Sequence, residues 1–103
     1  MILKDAANVI RSKNAGPYEL TLDVILKDRE IFDKMKDKQI INETVIARLY
    51  KIPVEDVLSI VYFPNALAIK ATIVRPLASG NMGERDVYGA QQHAPLVNFE
   101  FEV

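Results

Sequence analysis

Three stretches of this sequence alternate apolar and polar side chains at every second residue, and that pattern limits the possible folds more than any other feature. In residues 18–26, Leu20, Leu22 and Val24 alternate with Glu19, Thr21 and Asp23. Residues 67–75 set Leu67, Ile69, Ala71 and Ile73 against Ala68, Lys70 and Thr72. Residues 96–103 set Val97, Phe99, Phe101 and Val103 against Leu96, Asn98, Glu100 and Glu102. Successive side chains of a strand point to opposite faces, so each stretch reads as a strand with one buried face. A further apolar run, residues 57–63, also reads as a strand. Pro64-Asn65 marks the turn that joins it to residues 67–75 as an antiparallel hairpin, and Pro76 ends the second arm because proline cannot donate to a ladder.

Between these stretches the period changes to that of a helix. Leu3, Ala6, Ala7 and Ile10 recur at helical spacing and predict a short helix over residues 3–11. Ser12-Lys13-Asn14-Ala15-Gly16-Pro17 then reads as the turn that stops it. Asp28 is placed to cap a helix from Arg29 to about Lys36, with Ile31, Phe32 and Met35 inward. Asn42 is placed to cap another over residues 44–50, where Arg48 and Lys51 suit the C-terminal end of the helix dipole. Pro53-Val54-Glu55-Asp56 reads as a tight turn. The expectation is an α+β fold, in which an about four-stranded mixed or antiparallel sheet carries helices on one face, in the order α-β-α-α-β-β-β.

The chain has 103 residues, the size of one domain, so residues 1–103 are read as a single unit. A chain of this length buries roughly 60–70% of its unfolded surface, and 50% hydrophobic residues supply a core without staples. Thirteen Lys and Arg against 14 Asp and Glu leave a formal charge of −1, which gives no long-range attraction to nucleic acid or to an anionic membrane. The absence of cysteine removes disulfides, thiolate nucleophiles and zinc–sulfur sites together. The N-terminal residues lack a signal-peptide core and no run reaches the length of a membrane span, so a cytoplasmic location is expected. No cofactor is expected, and no metal site built from this chain by itself, because one histidine and scattered carboxylates show no ligand spacing; a metal shared between His93 and a partner's ligands stays open.

Candidate chemistry concentrates in residues 77–95, an unpatterned stretch long for so small a chain. It holds three of the four glycines and the single histidine. His93 has the titration range of a general acid or base, or else it bonds a carbonyl beside Pro95. Gln91 and Gln92 suit a carboxylate or amide, or are solvated. Asp86 pairs with Arg85 or Arg75, or caps the turn at Gly89. Arg75, at a strand end, can fork onto a carboxylate or phosphate, or make an ordinary ion pair. Lys13 and Asn14 bring a cation and an amide to the 12–17 turn. A phosphate-binding loop is excluded there by order, since the segment follows a helix and precedes a strand.

Ser12 to Pro17 with the strand carrying Leu20-Thr21-Leu22-Asp23, Ala47-Arg48-Leu49-Tyr50 ahead of Pro53-Val54-Glu55-Asp56-Val57, Ala68-Ile69-Lys70, Arg75-Pro76, and Asp86-Val87-Tyr88-Gly89-Ala90-Gln91-Gln92-His93 together resemble a small domain family of unknown function. Its members stand alone or are fused to proteins of the acyclic terpene utilisation AtuA-like family. The last of these runs is the most specific, and the resemblance covers nearly the whole chain. It implies an accessory subunit of an AtuA-like partner, handling a small organic acid or acyl thioester in hydratase- or lyase-like catabolism. It directs attention to Lys13, Asn14, Arg75, Asp86, Gln91 and Gln92 as substrate-binding residues and to His93 as the catalytic one, although it transfers no established role to them. Two other classes stay open: a self-sufficient homo-oligomeric enzyme with His93 as acid or base between subunits, and a purely structural assembly factor.

Overall fold

The computed structural model describes residues 1–74 and 94–102. Four antiparallel strands form one open sheet: β1 (Ala7–Gly16), β2 (Glu19–Leu26), β3 (Val57–Phe63) and β4 (Ala68–Val74), in the order β1-β2-β4-β3. Among the described residues four α-helices accompany it: α1 (Leu3–Ala6), α2 (Arg29–Lys38), α3 (Glu43–Tyr50) and α4 (Ala94–Val97). The α+β class and the sheet with helices on one face are as the sequence predicts.

The core follows from the alternation of β2 and β4. Their register sets Leu20 beside Ile73, Leu22 beside Ala71 and Val24 beside Ile69, and all six are buried. Val57, Ile60 and Tyr62 of β3 continue this face on one side, and Ile10, Ser12 and Asn14 of β1 on the other. Phe32 and Met35 of α2, Ile46 and Ala47 of α3, Leu3 and Ala6 of α1 and Leu96 of α4 close over it in the same cluster. Burial of such apolar faces is the dominant favourable contribution to folding.

Both central helices start where their caps predict. The Ile31 N–H donates to Asp28 Oδ1 at 2.9 Å, and the Val45 N–H donates to Asn42 Oδ1 at the same distance. Each contact satisfies one of the donors a helix N-terminus leaves unpaired. The helices end at Gln39 and Lys51, both left-handed, with φ of 50° and 56°. Tyr62 ties the sheet to the link between them: its hydroxyl donates to the Ile41 carbonyl at 2.7 Å, and its ring meets Phe32 edge-on at 6.0 Å.

Three segments differ from expectation. The helix predicted over residues 3–11 stops at Ala6, and the turn predicted over residues 12–17 is the second half of β1. Val9 and Ile10 are β-branched and favour the extended form. Pairing with β2 also satisfies a backbone edge that would otherwise stay open. The alternation of β1 escapes notice because two of its core-facing positions, Ser12 and Asn14, are polar. A register shift between Ala7 and Val9 breaks the period as well. A two-residue connection, Pro17-Tyr18, joins β1 to β2. Gly16 precedes it with φ of 144°, beside a second register shift between Asn14 and Gly16. That backbone suits glycine, and the proline then sets the turn.

The strand predicted over residues 96–103 is in fact α4 followed by a short extended segment. Leu3 N–H donates to the Phe99 carbonyl at 2.8 Å, and Phe101 N–H to the Met1 carbonyl at 2.9 Å, around a single bridge between Ile2 and Glu100. Phe99 and Phe101 keep the predicted inward alternation, are buried, and stack at 5.8 Å. Among the described residues, this segment pairs only with the N-terminal ones, through that one bridge. Among the described residues, no helix is long and apolar enough to cross a membrane.

Candidate functional site

The face of the sheet turned away from the helices is built in rows, because residues in register on neighbouring strands stand side by side. Lys13, Thr21, Thr72 and Ser59 make one row across β1, β2, β4 and β3. Arg11, Asp23, Lys70 and Val61 make the next, and Val9, Ile25, Ala68 and Phe63 the third. One face thus carries a hydroxyl row beside a cation, a charged row and an apolar row.

The charged row is organised around Asp23. Arg11 Nε donates to Asp23 Oδ2 at 3.2 Å, and Lys70 flanks the same aspartate in register from β4. Asp23 is mostly covered and Arg11 mostly exposed, so the pair positions two side chains more than it stabilises the fold. The hydroxyl row is different. Thr21 is only 3% exposed, although it faces away from the core, and its hydroxyl makes no hydrogen bond among the described residues. A buried hydroxyl without a partner costs about 1–3 kcal/mol. Folded chains rarely keep such groups without a structural or binding use.

Of the residues singled out from the sequence, two lie in the described part. Lys13 is exposed and stands beside Thr21. Asn14 is half-buried, stands beside Leu20 on the core side, and is not without a partner. Consecutive strand residues point to opposite faces, so Lys13 and Asn14 do not converge on one side of the sheet. Arg75, Asp86, Gln91, Gln92 and His93 lie outside the described residues.

The end of β4 is nonetheless informative. Val74 pairs with Glu19, which pairs with Gly16, so β4 finishes at the end of the sheet where the β1–β2 turn lies. The sequence reading missed Thr21 and Thr72 as a polar pair beside Lys13. Each looks like an ordinary solvent-side position of its own strand, and only the register joins them.

Two tyrosines have perturbed hydroxyls. Burial pushes Tyr50 far above its ordinary range. Burial also raises Tyr62, and the nearby Glu43 carboxylate adds to the effect. Both stay protonated in neutral solution and serve the packing of α3 and β3. No group of three or more His, Asp or Glu among the described residues can hold a metal ion.

No curated protein and no solved structure matches the chain. A family model does match, over residues 3–100, and so takes in the sheet, the helices and the Lys13–Thr21–Thr72 row. The family's description names no reaction, ligand or partner. The chain belongs to the family described as Domain of unknown function (DUF4387).

Proposed function

We propose that this chain is an accessory subunit that lays the helix-free face of its sheet against a larger AtuA-like protein. There it contributes polar groups to a shared site for a small organic acid or acyl thioester, in hydratase- or lyase-like chemistry. The observation that carries this reading is the row in which Lys13 stands beside the half-buried Thr72 and the buried hydroxyl of Thr21, which is unpaired among the described residues. A cation next to two hydroxyls matches the donors that a carboxylate accepts.

The apolar row of Val9, Ile25, Ala68 and Phe63 supports docking of another protein beside that site, with Phe63 43% exposed. A chain this small supplies one wall of a crevice more readily than a closed pocket. In this reading Arg75, Asp86, Gln91 and Gln92 add ligand contacts and His93 acts as acid or base. The strand leading into them ends beside the β1–β2 turn, three residues along β1 from Lys13.

Co-expression with an AtuA-like protein tests the reading directly. The two should co-purify and remain associated at micromolar concentration. Lys13→Ala removes a charged donor and should weaken retention of a short carboxylate probe such as acetate or succinate by about tenfold or more, a loss of about 1.5–3 kcal/mol. Thr21→Val keeps the shape, removes the hydroxyl, and should weaken the probe while leaving the circular dichroism spectrum unchanged. Failure of the two proteins to associate would overturn the partner assignment. A complex that binds the probe equally well with Lys13→Ala and Thr21→Val would overturn the site.

A further inference from the structure

Among the described residues the sheet order leaves β1 and β3 at its two edges, and these are guarded very differently. Strand β1 carries Arg11 and Lys13 and has register shifts near both ends. Charges and irregularities of this kind discourage another chain from adding to an edge. Strand β3 reads Val-Leu-Ser-Ile-Val-Tyr-Phe, with no charge and no proline. Its one register shift lies at the start, between Val57 and Ser59, so Ser59 to Phe63 is regular. Leu58, Val61 and Phe63 are 49%, 41% and 43% exposed. Among the described residues no strand pairs with its outer side.

The ends of β3 carry opposite charges. Glu55 and Asp56 immediately precede it, in the 3₁₀ turn Val54–Asp56. At the other end Arg29 Nη2 donates to the Pro64 carbonyl at 2.9 Å, which brings a guanidinium to the strand's finish. Arg29 also faces Asp33 at 3.9 Å, an exposed i,i+4 pair of little energetic weight.

We infer that β3 pairs antiparallel with β3 of a second copy of this chain, about a two-fold axis at Val61, to give a continuous eight-stranded sheet. Such an interface uses the same patch on both copies. Side-chain parity is kept about this axis, so Val61 meets Val61, Ile60 meets Tyr62 and Ser59 meets Phe63. Both sets of helices then lie on the same side of the joined sheet. The antiparallel sense brings Glu55 and Asp56 of each copy toward Arg29 of the other, twice. A parallel arrangement sets like charges together at both ends. The two β1 strands, with their charges, become the outer edges of the assembly. Lys13, on β1, stays clear of the interface.

Sedimentation velocity of the full chain tests this arrangement. A dimer is expected at about 100 µM, in the range of a small interface. Val61→Lys sets two ammonium groups against each other on the axis and should give a monomer with an unchanged circular dichroism spectrum. A second, charge-based test does not depend on that variant folding. Glu55→Lys should weaken the dimer by about tenfold, and Arg29→Glu in the same chain should recover the loss. Ala15→Lys, on the β1 edge, should leave the dimer intact. A monomer at all concentrations, a dimer indifferent to Val61→Lys, or a dimer indifferent to both charge changes would overturn the inference.

Discussion

Truncating Phe32 tests how the helical layer is held to the sheet. Phe32 is fully buried on α2, and its ring meets Tyr62 of β3 edge-on at 6.0 Å. Phe32→Ala removes the largest buried side chain of α2 and leaves a cavity between that helix and the sheet. Loss of a buried phenyl group costs about 3–5 kcal/mol, of which an edge-on aromatic pair accounts for about 0.5–1.5. A chain of 103 residues has a total stability of about 5–15 kcal/mol, so this one change removes a large part of it.

At about 4–8 °C for each kcal/mol, the melting temperature should fall by about 12–40 °C. Urea unfolding followed by circular dichroism measures the loss directly, and with no cysteine in the chain no thiol chemistry intervenes. Tyr18→Ala is the matched control. Tyr18 is also aromatic, but it is 63% exposed in the β1–β2 connection, so its loss should cost no more than about 0.5 kcal/mol. If Phe32→Ala shifts the urea midpoint no more than Tyr18→Ala does, α2 is not packed on the sheet through this residue and the account of the core fails.

Two further outcomes follow from local contacts. Asn42→Ala removes the acceptor of the Val45 N–H and should cost about 1 kcal/mol in urea unfolding, whereas Asn42→Asp should restore most of it. Alkaline pH should destabilise the fold through Tyr50 and Tyr62, whose hydroxyls are raised in the folded chain, chiefly by burial. The unfolded chain releases these protons first, near pH 10, so this contribution is whole below that pH and lost as pH rises through the higher folded values. Melting temperatures from pH 8 to 11 should therefore fall less steeply in the Tyr50→Phe, Tyr62→Phe double variant than in the parent. An equal slope in the two would refute the burial of these hydroxyls.

Much of the fold was legible in local pattern. The alternation of Leu20, Leu22 and Val24 against Glu19, Thr21 and Asp23 predicts a strand with one buried face, and that face is buried. Asp28 and Asn42 act as the caps their positions suggest, because capping depends on a side chain reaching a donor only three residues ahead. The β3–β4 hairpin follows the turn at Pro64 for the same reason: its contacts are close in sequence.

What sequence pattern could not reveal depends on partners distant in the chain. Strand β1 looks like a helix and a turn when read alone, since Ser12 and Asn14 put polar groups on its core side. It becomes a strand because β2 offers it an edge. Residues 99–101 have the alternation of a strand but, among the described residues, pair only with Met1 to Leu3, through one bridge. Lys13 and Asn14 are neighbours in sequence and stand on opposite faces of the sheet, whereas Lys13, Thr21 and Thr72 lie far apart in sequence and stand in one row. Side-chain period is a local property of the backbone. Register and sheet order arise only when the strands meet, and they decide which polar groups share a surface.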